Sequence, residues 1–203
     1  MSGTLSFLGV LSLPALVLVT LTSLVLLSSS NWRWSLAAVA VQYLMVFLLL
    51  APDRPLSLAL TKLVQGWMAG AVLGMALAGA SGLPQTGRPV ILSGLIFRLL
   101  AAGMVILVVI SSAPNLAEQI PGLGLYQAMA ALTLIGLGLL HLGLTLQPFR
   151  VILGLLTVLC GFEILYTAVE ISALVTGLLA GVTLGLALLG AYLLLNPSLG
   201  EAE

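Results

Sequence analysis

Seven apolar stretches dominate the sequence, each close to the length that crosses a membrane, and only short polar connections separate them. A helix of about 20 apolar residues spans the hydrocarbon core of a bilayer. Breaks at Ser, Asn, Pro, Gly and charged residues place the predicted helices at Leu5–Leu27, Trp34–Leu50, Ser57–Ala80, Val90–Ser111, Leu123–Leu146, Val151–Ala168 and Ala173–Leu195. The sequence therefore predicts an all-α integral membrane protein with about seven transmembrane helices.

The composition supports this fold class and excludes several functions. Hydrophobic residues make up 61% of the chain and charged residues 6%, whereas soluble domains have roughly 45–50% and about 25%. Six Lys and Arg residues balance six Asp and Glu residues, so no basic surface is available to bind nucleic acid. With Cys160 as the only cysteine and His141 as the only histidine, we expect no disulfide, metal, haem or iron–sulfur cluster held within this chain.

An internal repeat is the strongest organising signal. Residues 63–80 align without gaps with residues 174–191, and most of the aligned positions are identical. The shared glycines are Gly66, Gly70, Gly74 and Gly79 in the first copy and Gly177, Gly181, Gly185 and Gly190 in the second. We expect two parallel three-helix repeats, at residues 1–82 and 122–203, flanking one central helix with an interfacial loop at residues 83–121.

The spacing of these glycines carries a second expectation. In the first copy they recur every fourth residue from 66 to 74, which places them on one face of a helix. Small residues on one face let a neighbouring backbone approach closely, so this pattern predicts tight helix packing. The alternatives are a flexible helix or a groove for a lipid or quinone tail.

The charges of the connections predict a topology for a multi-pass protein of the cell (inner or plasma) membrane. Arg33, Arg88 and Arg150 fall on one side of the predicted bundle and Arg54 on the other. Because positively charged loops stay in the cytoplasm, the N-terminus is predicted outside and the C-terminus inside. The first residues lack the positive charge of a cleaved signal, so we expect the first helix to be retained. The connection at residues 112–122 is expected to be a partial helix along the interface.

Four ionisable residues inside the predicted spans are candidates for a proton or ion path: Lys62, Arg98, His141 and Glu163. A charge at the bilayer centre costs at least ~2.5–3.5 kcal/mol, so such residues mark functional sites by default. Each also has a structural explanation. Lys62 can reach the nearby interface, Arg98 can bond free carbonyl groups, and His141 can be a packing residue rather than a ligand.

Glu163 is the leading candidate because it is the only carboxyl group well inside a predicted span. Desolvation disfavours the charged carboxylate, so an isolated acid at this depth is expected to be protonated and suited to loading protons. The alternative is a carboxyl group that only hydrogen-bonds a neighbouring helix, for example through Lys62 at a similar depth.

Two local stretches, together with the order of triplet, single helix and triplet, resemble a known family. The first runs from Leu21 through Asn31-Trp-Arg to Leu44, and the second runs from Gly136 to Leu146 and then from Phe149 to Leu155. They are similar to component E of hydrogenase 4 and related formate hydrogenlyase-type complexes, which contain two tandem units similar to the K-type subunit of respiratory complex I. The resemblance covers nearly the whole chain.

The chain departs from that family at the acidic positions. The K-type unit usually has one glutamate where this chain has Leu155 and Leu156, and a second near the level of Val182 and Thr183. Glu163 lies two turns beyond the first of these positions, on roughly the same helix face. In the corresponding helix of the first repeat, Gln42 is the most polar candidate to face inward.

The resemblance implies a non-catalytic membrane subunit of a complex I-like or group 4 hydrogenase-like assembly that moves protons or sodium ions, with electron transport in its partners. The implied partners are other membrane subunits and the lipid bilayer, with no cofactor bound by this chain alone and quinone or lipid only at a subunit interface. Two alternatives stay open. One is a self-contained small transporter or lipid-binding membrane protein in which Arg98 and Glu163 hold substrate. The other is a purely structural accessory subunit of a respiratory or photosynthetic complex.

Overall fold

The computed structural model describes residues 2–29, 31–52, 55–79, 92–170 and 172–196, with side chains placed from Ser12 onward except at residues 92 and 93. The described chain forms seven helices and no strands. They are α1 (Ser2–Ser28), α2 (Trp32–Leu50), α3 (Leu56–Gly79), α4 (Leu92–Gln119), α5 (Leu125–Gly143), α6 (Pro148–Val169) and α7 (Ala173–Leu195). All but α1 are long and apolar enough to cross a membrane over their described length, which confirms an all-α, multi-pass membrane protein.

The helices pack in the same order within the two halves of the chain. In the first half α1 contacts α2 and α2 contacts α3, while in the second half α5 contacts α6 and α6 contacts α7. Helices in matching positions also meet, since α1 packs on α5, α2 on α6 and α3 on α7. Helix α4, central in the sequence, packs mainly on α5 at one edge. The superposition of the two triplets and the boundaries at residues 82 and 121 stay predictions.

Helix α6 lies deep in the bundle. It contributes fully buried Leu153, Leu156, Cys160 and Ile164 to the largest hydrophobic cluster, together with residues of α2, α3 and α5. Its closest neighbour is α5, where a Cβ atom on Gly161 would lie only 2.7 Å from the carbonyl oxygen of Ala131. A polar side chain on the inner face of α6 is therefore kept away from lipid.

The repeated glycines do not all support close packing. A Cβ atom on Gly66 would lie 2.1 Å from the ring of Tyr43, so a larger residue does not fit there. Gly70, one turn further along α3, has no neighbour within 4 Å of such an atom. In α7 the three glycines equivalent to Gly66, Gly70 and Gly74 are equally open, and only Gly190 is tightly packed. A Cβ atom on Gly74 would lie 3.0 Å from the Leu36 side chain. The expectation of tight packing therefore holds at Gly66, Gly74 and Gly190 and is wrong at the open positions.

Helix α4 is longer than the sequence predicts. It continues through Pro114 to Gln119, so the expectation of a separate interfacial segment at residues 112–122 is wrong for most of that stretch. Proline removes one helical hydrogen bond. Tertiary packing offsets that loss, because Ala113 is fully buried in a small cluster with Leu123 and Ala128 of the following segment. The chain then turns at Gly122, whose φ of 84° favours glycine.

Candidate functional site: a buried ion pair between α3 and α6

Lys62 and Glu163 form an ion pair in the interior of the bundle. The Lys62 Nζ atom lies 3.2 Å from the Glu163 Oε2 atom, and the two side chains are only 2% and 1% exposed. Lys62 therefore does not reach out to the interface, and the expectation that it would is wrong. Lys62 and Glu163 lie at a similar depth and pair across α3 and α6, which is the alternative raised for Glu163. Glu163 is therefore not an isolated acid.

Gln65 completes the coordination of the carboxylate. It lies three residues after Lys62 on α3, so both side chains project from the same face of the helix. The Gln65 Nε2 atom donates to both carboxylate oxygens of Glu163, at 2.7 Å each. A charged carboxylate with an ammonium and an amide donor has the partners that a buried anion needs. The site therefore accommodates the ionised form of Glu163.

The ion pair lies well below the ends of its helices. Lys62 is six residues after the first residue of α3, and Glu163 is six residues before the last residue of α6, which is about 9 Å along each axis. Because α3 begins at the end of the bundle where α6 finishes, both residues lie in the same half of the span. A charge at this depth pays a desolvation penalty that only a well-placed partner offsets.

A second set of buried polar groups lies deeper in the bundle. The Gln42 Nε2 atom donates to the Ser23 hydroxyl at 2.8 Å, and the Thr157 hydroxyl is 3.4 Å from Gln42 Oε1. These residues join α1, α2 and α6, and Gln42 faces inward as expected. Tyr43, next to Gln42, directs its hydroxyl to the Leu156 carbonyl oxygen at 3.4 Å. Buried polar groups thus extend from the half of the bundle that contains the ion pair towards the middle of the span.

Arg98 and His141 lie in the opposite half, away from the ion pair. The Arg98 Nη1 atom donates to the Leu27 carbonyl oxygen at 3.1 Å, which is the structural explanation raised for this residue. Arg150 donates to the carbonyl oxygen of Ser29, directly after the end of α1. His141 is 3% exposed, and its Nε2 atom has no hydrogen-bond partner among the described residues. The four predicted site residues therefore form two clusters, and Arg98 and Glu163 do not share a substrate pocket.

A groove between α3 and α7 passes Gln65, the amide partner of Glu163. Its volume is about 370 Å³, and it extends from Ser57 at the start of α3 past Thr61 to Met68. Gln65 contributes to its wall, and the Gln65 Oε1 atom is buried without a hydrogen-bond partner among the described residues. The Gln65 amide nitrogen thus bonds to Glu163, whereas the amide oxygen has no hydrogen-bond partner among the described residues and lies beside the groove.

The charges of the described residues are divided between the two ends of the bundle. Arg33, Arg98 and Arg150 lie where α1 ends and α2, α4 and α6 begin, whereas Glu118 and Glu170 lie at the ends of α4 and α6. The membrane orientation itself stays a prediction. Arg54 and Arg88, which contributed to it, lie outside the described residues.

Two important residues were not singled out from the sequence as site residues. Gln65 could have been found from its spacing to Lys62, and Arg150 was used only to predict topology. The described residues contain no group of three or more His, Cys, Asp or Glu side chains that could hold a metal ion. Comparisons of the chain with protein-family models, with curated proteins and with solved structures found no match.

Proposed function

We propose that this chain is a non-catalytic membrane subunit of an ion-translocating oxidoreductase assembly of the complex I or group 4 hydrogenase type, in which Glu163 loads and releases protons. The observation that carries the proposal is the buried Lys62–Glu163 ion pair with Gln65 on the carboxylate. The sequence resemblance supplies the class of assembly. Enzymatic chemistry and electron transfer belong to the partner subunits.

The ion pair has the electrostatic properties of a proton-loading site. In a medium of low dielectric constant, two opposite charges 3.2 Å apart stabilise each other strongly, and each is costly to bury alone. A proton that binds Glu163 removes the carboxylate charge and leaves the Lys62 ammonium without a counterion. The unpaired ammonium then favours return of Glu163 to its ionised form.

Polar groups on both sides of the pair give the proton places to enter and leave. The groove between α3 and α7 brings the outer surface of the bundle to Gln65, which touches Glu163 directly. On the inner side, Tyr43 and the Ser23–Gln42–Thr157 group extend towards the middle of the span. Water molecules between these groups would complete a path, as in other membrane proteins that place ionisable residues beside water-filled cavities.

The exposed surface supports assembly with membrane partners. Only 11% of the most apolar stretch of α4, and 17% of that of α7, is buried within this chain. Large apolar side chains such as Phe97, Leu107, Leu174 and Leu188 are more than half exposed. In a bilayer these faces contact lipid or the apolar helices of neighbouring subunits.

The test is proton translocation by the assembled complex in sealed vesicles. Glu163→Gln keeps the shape and hydrogen bonding of the side chain but removes its titration, so we expect normal assembly and reduced proton translocation. The matched control is Glu170→Gln. Glu170 is exposed and caps the end of the same helix, so this variant should translocate protons normally.

The complex is isolated first, by purifying the chain in mild detergent and identifying the subunits that co-migrate. Translocation is then compared at equal complex abundance. Normal translocation by Glu163→Gln would remove this residue from the mechanism and favour the structural accessory subunit. Recovery of the chain without partners would contradict the proposed assembly, and proton movement by the chain alone in liposomes would favour a self-contained transporter.

A further inference from the structure

Arg98 and Arg150 converge on the end of α1. Arg98 bonds the Leu27 carbonyl oxygen and Arg150 bonds that of Ser29, two residues further on. His141 lies beside the same cluster, near the end of α5, which leads into the start of α6. A Cβ atom on Gly154, one turn beyond Arg150, would lie 3.2 Å from the His141 ring, which places the histidine against the first turns of α6.

The positive charge of this cluster has no acidic counterpart. Lys62–Glu163 is the one salt bridge in the described part of the chain, so neither arginine is paired there with a carboxylate. The carbonyl groups at the end of α1 provide partial negative charge only. Arg150 also lies in the first turn of α6, where the helix dipole is positive and no acidic residue is present. The arrangement therefore carries an excess positive charge that an anion would compensate.

The cluster also retains hydrogen-bonding capacity. A guanidinium group has five N–H donors, and one bond to a described residue is made by each arginine. Two guanidinium groups with free donors match the oxygen atoms of a phosphate group, which accepts paired hydrogen bonds from arginine.

We propose that Arg98 and Arg150, with His141 packed beside them, form a binding site for the phosphate group of an acidic phospholipid. The surroundings favour a lipid over a free anion. Arg98 and Arg150 are both partly exposed, and the neighbours of Arg98 on α4, Phe97 and Leu99, are 61% and 46% exposed apolar residues. A phosphate held at this level thus has an apolar helix face beside it for acyl chains. Basic pockets between transmembrane helices bind acidic lipid head groups in this way.

The test measures lipid retention by the purified full chain. The chain is reconstituted in nanodiscs containing equal amounts of phosphatidylglycerol and phosphatidylcholine, extracted into mild detergent, and examined by native mass spectrometry. We expect preferential retention of phosphatidylglycerol by the native protein. Arg98→Gln/Arg150→Gln removes both guanidinium groups and should reduce this preference about tenfold, which corresponds to about 1.4 kcal/mol.

The matched control is Arg33→Gln. Arg33 lies at the same end of the bundle but is exposed and stacks over the Trp32 ring, so its replacement should leave the lipid preference unchanged. An equal loss in this control would show general attraction to positive charge and overturn the proposal. Equal retention of both lipids by the native protein would also overturn it, as would saturation of the site by millimolar inorganic phosphate.

A second measurement does not depend on the folding of the double variant. The unfolding temperature of the native protein is recorded in detergent micelles with increasing amounts of phosphatidylglycerol or phosphatidylcholine. A ligand that binds only the folded state raises the unfolding temperature with its concentration. We expect a rise with phosphatidylglycerol alone, whereas identical effects of the two lipids would contradict the proposal. Arg98→Lys/Arg150→Lys, which keeps both charges, should retain part of the rise.

Discussion

Buried charge is stabilised differently in the two halves of this bundle. In one half, Lys62 and Glu163 are almost completely enclosed and neutralise each other across two helices. In the other half, Arg98 and Arg150 remain partly exposed and bond to backbone carbonyl groups at the end of α1. The first arrangement depends on the protonation state of both partners, whereas arginine stays protonated under all ordinary conditions. The difference separates a site that can change its charge from one that can only hold a fixed charge.

Removing one member of the ion pair should have the largest effect on stability. Glu163→Leu leaves the Lys62 ammonium buried without a counterion, and loss of one partner of a buried pair costs about 3–5 kcal/mol. The measurement is the free energy of unfolding in mixed detergent micelles.

The double variant Lys62→Met/Glu163→Leu sharpens this test. It replaces both charges with apolar side chains and should recover most of the loss, because such replacements are often neutral. A double variant as unstable as Glu163→Leu would show that the loss arises from packing and not from the unpaired charge.

The packing beside the ion pair provides the next largest effect. Gly66 follows Gln65 and faces the Tyr43 ring, so Gly66→Ala forces the ring to shift and should destabilise the protein by about 1–3 kcal/mol. Gly70→Ala is the control, since the space there is open, and it should be neutral or slightly stabilising. Equal effects of the two substitutions on the unfolding free energy would contradict the described contact.

The arginine half should be less sensitive to a single substitution. Arg98→Gln removes one charge-assisted bond to the Leu27 carbonyl oxygen at a partly exposed position, so we expect a loss of about 1–2 kcal/mol. Unfolding measurements on this variant and on Glu163→Leu compare the two halves directly. A larger loss of unfolding free energy in Arg98→Gln than in Glu163→Leu would contradict this difference between the two halves.

The smallest effect is expected in the middle of the span. Thr157→Val removes the 3.4 Å contact with Gln42 and the bond to the Leu153 carbonyl oxygen within α6, but it keeps the shape of the side chain. Hydrogen bonds between transmembrane helices average about 0.6 kcal/mol, so the unfolding free energy should fall by about that amount. A loss of several kcal/mol would mean that this group is coupled to the ion pair.

Much of the fold was predictable because apolar length and short turns determine the helices of a membrane protein. Helix α7 has the predicted limits Ala173–Leu195, and α2 ends at Leu50 as predicted. The extension of α4 through Pro114 was not predictable, because it depends on the burial of Ala113 against later parts of the chain. The glycine pattern was misleading for a similar reason. Spacing shows which residues share a helix face, but not whether a neighbouring helix covers that face.

The residues of the candidate site could be predicted from the sequence better than their arrangement could. The similar depth of Lys62 and Glu163 allowed a pairing, and the structure contains it. The contribution of Gln65 follows from its spacing to Lys62 but was not recognised, because neutral polar residues are common in transmembrane helices. The separation of Arg98 from Glu163 follows from their positions along their helices, since Arg98 lies near the start of α4 and Glu163 near the end of α6.

The most direct test of the central claim is whether Glu163 takes up a proton within the folded bundle. Difference infrared spectroscopy of the purified chain in nanodiscs records the carbonyl band of a protonated carboxyl group as the pH is lowered. Subtraction of the Glu163→Gln spectra isolates this residue from the other acids. We predict no band from Glu163 at neutral pH, where it is paired with Lys62, and a band that appears as the pH falls and persists in Arg98→Gln. A band already complete at neutral pH, or none at any pH at which the helices remain folded, would contradict a titrating ion pair.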